Sequence, residues 1–275
     1  MLITLISSNN TTFTFCNVCN KNYRMKKIVI ACTIALLFIA CSDDSSSNET
    51  QTVNKALNRQ STGSSSNDLL SDDQFKSIRI ELVYIEGFEP SDEAVDNFVS
   101  FLTNLCFKPD GITVEKRSLS SPEQETYTIE EIADIEREER KFYNTSDQIA
   151  VWALFMDGKS DKDEGDRVVL GTAYWNTSFV IYQNTIQRLS DSPFEPSRTK
   201  LESTVINHEF GHILGLTNLG APMQTEHEDE ENLKHCNVED CLMFWESEVS
   251  GGSFNPLNRN KIPELDAQCL ADLRA

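Results

Sequence analysis

Positive charge is scarce in this sequence. Only 24 Lys and Arg residues stand against 44 Asp and Glu residues, which gives a formal net charge of −20 over 275 residues. So acidic a chain repels the phosphates of nucleic acids and anionic membrane surfaces, and we expect no nucleic-acid partner. The region after residue 41 also lacks an internal repeat and any apolar run long enough to cross a bilayer, so we expect one ordinary globular domain there.

A single long apolar run lies near the N-terminus. Met25 and two lysines precede apolar residues from Ile28 to Ala40, and Cys41 follows. A short basic region before an apolar run of this size predicts a secretory signal peptide over 25–41. Residues 1–24 are polar and irregular, and we interpret them as a mis-assigned extension before the true start at Met25.

The end of this signal, Phe38-Ile39-Ala40-Cys41, resembles a bacterial lipobox, although Leu is usual where Phe38 stands. The resemblance implies that Cys41 is lipidated, which predicts a bacterial outer-membrane lipoprotein facing the periplasm or the cell surface. Ordinary signal cleavage is the alternative. Residues 42–74 are rich in Ser, Asn, Asp and Thr, so we expect a disordered tether there and a folded domain over 75–275.

Four cysteines follow the lipidation candidate: Cys106, Cys236, Cys241 and Cys269. An even number in an oxidising compartment predicts two disulfides, and three pairings are possible. A bond between Cys236 and Cys241 would close a small loop and leave Cys106 with Cys269.

Strand and helix patterns alternate along the folded region. Alternating or continuous runs of apolar and β-branched residues predict strands, and helical spacing of apolar residues predicts helices. The expected order, β-α-β-α-β-β-β followed by a long helix, indicates an α/β fold with helices on a mixed sheet. The expected strands are 78–85, 112–119, 148–156, 168–174 and 179–183, and the expected helices are 91–105, 128–142 and 199–215.

The last helix carries the chemistry. Thr199 and Glu202 have the spacing of a capping box, and Gly215 is suited to end the helix. His208 and His212 lie one turn apart on the same face, where two imidazoles can bind Zn²⁺. Glu209, beside them, is placed to act as a general base on a zinc-activated water.

His208-Glu-x-x-His212-x-x-Gly215 resembles the metzincin signature, in which a third ligand, usually His, follows three residues after the glycine. Asn218 stands at that position here and is a poor ligand. The later run His235-Cys236-Asn-Val-Glu-Asp-Cys241-Leu-Met243 is similar to that of archaemetzincins, with about 16 residues, 219–234, inserted before it. The resemblance implies a metzincin-like zincin domain with a small C-terminal subdomain, one zinc, His235 as third ligand and Met243 as the Met-turn. It also extends to exported bacterial lipoproteins described as membrane metalloproteases.

Several alternatives stay open at this stage. His227, inside the acidic insertion, competes with His235 for the third position. Archaemetzincins carry a second zinc site that uses a downstream Cys-x-x-Cys, but only Cys269 is present here, which favours the disulfides. Asp157, Asp161, Asp163 and Asp166 could bind Ca²⁺, although a solvated loop is the simpler interpretation.

The functional prediction is an exported zinc endopeptidase, acting as a monomer on a protein or peptide substrate. Residues 168–174 resemble the edge strand above the metzincin cleft, with which an extended peptide could pair. Two other functions compete: a gluzincin-like peptidase with Glu226 or Glu231 as third ligand, and a surface lipoprotein that binds without catalysis. Intact Glu209 argues against the second, because a binding module needs no base.

Overall fold

The structure, a computed structural model, describes residues 53–191, 196–247, 249–250 and 261–275. These residues belong to one compact unit, Thr50–Ala275. The predicted extension, the signal peptide and Cys41 lie outside the described residues. Within the described ranges, no helix combines the length and apolar character needed to cross a bilayer.

The described chain alternates strands and helices in the predicted manner. The strands are β1 Ser77–Ile85, β2 Ile112–Leu119, β3 Thr126–Tyr127, β4 Gln148–Phe155, β5 Lys159–Ser160, β6 Val168–Val169, β7 Gly171–Trp175, β8 Ser178–Ile181 and β9 Val249–Ser250. The helices are α1 Ser66–Leu70, α2 Asp92–Leu105, α3 Ile129–Glu139, α4 Gln183–Arg188, α5 Arg198–Ile213 and α6 Ala267–Asp272. Helix α4 is an addition to the prediction, and the predicted strand at 168–174 divides into β6 and β7.

A five-stranded sheet with the order β2-β1-β4-β8-β7 forms the centre of the domain. Strands β2, β1, β4 and β8 are parallel, whereas β7 pairs antiparallel with β8 and forms an edge of the sheet. Strand β4 lies in the middle and is almost entirely buried, as its continuous apolar sequence predicts. The predicted α/β class with a mixed sheet is confirmed.

Helices cover both faces of this sheet. Helices α2 and α5 pack on one face, where Phe98, Phe179 and Phe210 meet edge to face. Such aromatic contacts add to the burial of apolar area. On the other face, Ile132 of α3 packs with Trp152 and neighbouring apolar residues. The sheet and α2 therefore form a rigid support for α5, on which the histidines lie.

The predicted capping box of α5 is wrong. Ser197 is the N-cap, and its side chain accepts a hydrogen bond from the backbone N–H of Lys200. The buried carboxylate of Glu202 instead accepts bonds from the backbone and hydroxyl of Ser91, at 3.0 and 2.6 Å. Since Ser91 is the N-cap of α2, a local pattern was overridden by a contact between two helices.

The predicted tether is also wrong over most of its length. From residue 53 onwards the chain packs on the domain, with a 3-10 turn at Lys55–Asn58 and then α1. The Asn58 amide is buried and bonds to Asn144 and to the carbonyl of Ala150. Ser66 donates a 2.6 Å hydrogen bond to the carbonyl of Leu214, at the end of α5. The folded body therefore begins about 20 residues before the predicted boundary at 75.

Candidate metal centre and active site

Helix α5 presents His208, Glu209 and His212 from a fully buried position. Every residue from Leu201 to Ile213 is buried, because α5 is covered by the sheet, by α2 and by the C-terminal segment. The helix ends beside Gly215, whose φ of +84° is a conformation that favours glycine. Polar side chains held this deeply need partners, which points to a function for them.

Three histidines converge on one point. The ligand atoms of His208, His212 and His235 all lie within 4.8 Å of one another. The Nε2 atoms of His208 and His212 are 3.1 Å apart. Two nitrogens bound tetrahedrally to one zinc ion, each about 2.0–2.1 Å from it, lie roughly 3.3 Å apart, so the donor set fits this metal. His227 is not in this group.

Backbone carbonyls orient two of these rings. His208 Nδ1 lies 2.7 Å from the carbonyl oxygen of Leu242, and His235 Nδ1 lies 3.1 Å from that of Leu233. A carbonyl oxygen can only accept, so each Nδ1 must carry the proton. The lone pair is then on Nε2, which is the usual arrangement for a metal-ligating histidine.

The loop that brings His235 into place is anchored by Asn218 and by two residues, Thr217 and Glu228, that the sequence analysis did not single out. The carboxylate of Glu228 accepts a 2.9 Å bond from the Asn218 amide and a 2.7 Å bond from the backbone N–H of Lys234. The Thr217 hydroxyl donates to the carbonyl of Lys234. Asn218, at the position where metzincins have a ligand, thus fastens the loop that delivers the ligand.

Met243 packs directly under the helix. It is fully buried, and a Cβ atom built on Gly211 would overlap its sulfur. The close approach of the two chains therefore requires glycine at position 211. Leu242, next to Met243, supplies the carbonyl that holds His208. The segment 242–243 supports the histidine pair from below.

Glu209 opens onto a cavity of about 200 Å³ at the edge of the sheet. Val169, Thr172 and Ala173 of the β6–β7 region form one wall, and His212 and His235 form another. The cavity is completed by Thr62, Lys162, Leu219 and Lys234. Gly171 lies so close to Glu209 that a Cβ atom there would be 2.7 Å from Oε1. The edge strand thus borders the general-base candidate and the histidines.

The predicted disulfides are not formed. Cys106, Cys236, Cys241 and Cys269 are all buried free thiols. Cys106 lies in the core beside α2, whereas the other three form a cluster with Asp266 in the C-terminal subdomain. The ligand atoms of this cluster all lie within 4.8 Å of one another. A count of cysteines could not reveal that three of them converge on one point.

The chemistry of this second cluster suits a metal. Hydrogen bonds from Cys236 and Cys269 lower the pKa of Cys241 to about 3. Backbone N–H groups of Met243 and Asp266 also point at its sulfur, at 3.4 and 3.5 Å. A buried sulfur surrounded by donors is stabilised as the thiolate, the form that binds zinc.

His227 lies beside the second cluster. Its Nδ1 lies 3.4 Å from the sulfur of Cys236 and 4.0 Å from that of Cys269. Its Nε2 lies 2.8 Å from a carboxylate oxygen of Asp272 on α6. The carboxylate must accept, which leaves the Nδ1 lone pair facing the sulfurs. His227 can therefore act as a fourth donor here, alongside or instead of Asp266.

Other predicted ligands lie elsewhere. Glu226 and Glu231 are exposed and belong to neither cluster of close ligand atoms in the described residues. The aspartates of the 157–166 loop form no such cluster in this part of the chain either. Asp163 accepts a 2.9 Å bond from the backbone of Val169, and Asp157 accepts one from Ser121. These contacts stabilise the loop, and the suggested Ca²⁺ site has no support.

Comparisons with known proteins agree with this geometry. No family profile matches the sequence, and no curated protein matches it. The fold is nevertheless similar to that of a solved structure, archaemetzincin from Methanopyrus kandleri, with 18% identity and a TM-score of 0.50 over 72% of this chain and 94% of that one. The resemblance to archaemetzincins is thereby confirmed for the fold.

Two further solved structures are more distant. A zinc-dependent peptidase from Methanocorpusculum labreanum (strain Z) has 15% identity and a TM-score of 0.45, covering 70% of this chain and 99% of that one. Metalloproteinase-II from Bacteroides fragilis has 14% identity and a TM-score of 0.40, covering 74% of this chain and 55% of that one.

Proposed function

We propose that this protein is a zinc-dependent peptidase that cleaves within peptide chains. The convergence of His208, His212 and His235 beside Glu209 carries the proposal. A zinc ion held by the three histidines would polarise the scissile carbonyl and make water a stronger acid. No other group of described residues combines three histidines with an adjacent carboxylate.

The chain's own residues then supply the remaining chemistry. Glu209 lies in the same cavity as His212 and His235, where it can take a proton from the attacking water and return it to the leaving amine. Strand β7 has no strand on its outer side among the described residues, so its backbone can pair with an extended substrate. Pairing along the strand does not require a chain end, which favours internal cleavage.

The test compares bound zinc and cleavage of a casein-derived peptide. Glu209→Gln should retain zinc and lose about 10²–10⁴-fold in kcat. His235→Ala should lose zinc, whereas Glu226→Gln, a change at an exposed carboxylate of the insertion, should alter neither. Wild-type protein that holds zinc without cleaving any peptide would favour the binding lipoprotein. Zinc loss in Glu226→Gln would favour the gluzincin-like arrangement.

We further propose that Cys236, Cys241, Cys269 and His227 hold a second, structural zinc ion. The support is the buried cluster of thiols, the donors around Cys241 and the Asp272 contact that orients His227. Cys241→Ala should reduce the zinc content from two ions to one and lower the melting temperature. A zinc content of one in the wild type would contradict the second site.

Export and lipid anchoring are proposed from residues 25–41 alone. Cys41→Ala should abolish incorporation of labelled palmitate and release the protein from the membrane fraction in a bacterial host. Labelling that persists in this variant would refute Cys41 as the lipidation site.

A further inference from the structure

Two lysines flank the cavity beside Glu209. Lys162 comes from the loop between β5 and β6, and Lys234 immediately precedes the ligand His235. Both side chains are exposed at the cavity mouth. Apart from Glu209, no acidic residue of the described chain lines this cavity. In a chain of net charge −20, this cavity therefore has two lysines against a single carboxylate.

Neither lysine is used to hold the fold through its ammonium group. In the described part of the chain, neither ammonium forms an ion pair, although many other lysines and arginines do. Only their backbones are engaged, that of Lys162 through the Ser160 hydroxyl and that of Lys234 through Glu228 and Thr217. Both charges therefore remain available to a ligand.

The backbone conformation of Lys234 is a second, independent indication that this residue has a function. Its φ is +71°, a conformation that costs a side-chain-bearing residue of order 1 kcal/mol and that glycine or asparagine would adopt more easily. Strain of this kind tends to occur at functional sites. A lysine kept at a strained position at the rim of the catalytic cavity points to a role for its charge.

The size of the cavity restricts what it can take. Its volume of about 200 Å³ is small beside the roughly 300–1,000 Å³ of sites that enclose a whole ligand. The cavity has room for one side chain or one chain end, not for a longer stretch of peptide. Val169, Ala173 and Leu219 offer apolar walls to the stem of such a group, with Lys162 and Lys234 at the rim.

We propose that this cavity selects a substrate carboxylate, held between Lys162 and Lys234, next to the scissile bond. The proposal rests on the peptidase function and deepens it by naming the substrate class: peptides with an acidic residue, or with a free C-terminal carboxylate, beside the cleaved bond. Exposed ion pairs are weak, so each lysine should contribute no more than about fivefold, and the two together on the order of tenfold.

The experiment uses zinc-loaded protein and quenched fluorescent peptides that differ only in charge. One pair has Glu or Gln at each position flanking the cleaved bond, and a second pair has a free or an amidated C-terminus. We expect kcat/KM to be about tenfold higher for one charged member than for its neutral partner. The pair that shows the preference identifies the source of the carboxylate. Equal rates within both pairs would overturn the proposal while leaving the peptidase function intact.

Substitutions of the two lysines test whether they cause the preference for charged peptides. The double variant Lys162→Met/Lys234→Met should lose the preference, whereas Lys159→Met, an exposed lysine of the same region outside the cavity, should keep it. Lys162→Glu should abolish the preference, because the new carboxylate offsets the charge of Lys234 and repels the carboxylate of the substrate. Because Lys234 adjoins His235, zinc content is measured for each variant, and Lys234→Arg should retain both zinc and the preference.

A binding measurement separates this proposal from the peptidase function. If no peptide is cleaved, calorimetric titration of the same zinc-loaded protein with the same peptide pairs still tests the cavity. Tighter binding of the charged member, lost in the double variant, would support carboxylate selection in a protein that is not a peptidase. Equal binding of charged and neutral peptides would overturn it.

Discussion

Replacement of Gly171 by alanine tests the geometry of the active site most sharply. A Cβ atom at this position would lie 2.7 Å from Oε1 and 2.8 Å from Cγ of Glu209, and 2.9 Å from Cγ1 of Val205. Non-bonded heavy atoms are normally about 3.5 Å or more apart, so the Glu209 side chain must move by roughly 0.7 Å. Displacements of about 1 Å in an active site can cost on the order of 10²-fold in rate.

We therefore expect Gly171→Ala to lower kcat/KM about 10²-fold while the zinc content stays unchanged. The three atoms nearest to the new methyl group belong to Glu209 and Val205, so we expect the histidines to remain in place. Overpacking should also lower the stability by about 1–3 kcal/mol, measured by urea unfolding. Zinc analysis, peptide cleavage and unfolding on the same preparation give the three quantities.

A second substitution distinguishes the overlap with Glu209 from the overlap with Val205. Val205→Ala removes the third overlap, so the double variant Gly171→Ala/Val205→Ala should remain inactive if Glu209 is the group displaced. Recovery of activity in the double variant would show that the helix, not the carboxylate, had moved. Wild-type activity in Gly171→Ala at full zinc content would refute the assigned position of Glu209.

Three further predictions concern the support of the site and the stability of the domain. In Gly211→Ala, the new methyl group should overlap the sulfur of Met243 and lower both the zinc affinity and the melting temperature. The double variant Gly211→Ala/Met243→Ala, which removes this sulfur, should recover part of both. Lys108→Met should destabilise the fold by roughly 2–4 kcal/mol in urea unfolding, because the buried ammonium donates to three backbone carbonyls of residues 68–75. Burial raises the pKa of Cys106 to about 12, so between pH of about 8.5 and 12 only the unfolded thiol ionises and stability falls as pH rises, by up to about 1.4 kcal/mol per pH unit. The stability of Cys106→Ala should fall less steeply over that range.

Local patterns predicted much of the central architecture. Strand β2 has the predicted bounds, and β1, β4 and α2 differ from prediction by one residue at an end. These elements have strong apolar periodicity, and each is buried on the face or faces that the pattern indicates. The capping of α5 was wrong because Glu202 found a partner in another helix, a contact that no local pattern encodes.

Residues 53–74 show a second limit of local patterns. Their polar composition is typical of a tether, yet Asn58 is buried and hydrogen-bonded to residues far along the chain. Buried amides of this kind have no periodic signature, because their partners are set by the tertiary fold. The same holds for Lys162 and Lys234, which only the folded chain brings to one cavity. Gly211 lies inside the zinc-binding motif, so its need for close packing could have been suspected from the sequence.

The two ligand clusters are joined through adjacent residues. His235 belongs to the histidine cluster, and its neighbour Cys236 belongs to the thiol cluster. The backbone between them is held by Met243, whose carbonyl accepts a 2.8 Å bond from the N–H of Cys236, and by Asp229, whose N–H donates to the carbonyl of His235. Since α5 ends without a third ligand, the position of His235 depends on this returning loop. The thiol cluster lies beside the contact by which His227 and Asp272 hold this loop onto α6, so we infer that it helps to complete the proposed catalytic centre. The one zinc ion that remains in Cys241→Ala should accordingly be bound more weakly than in the wild type, measured as its release to a chelator.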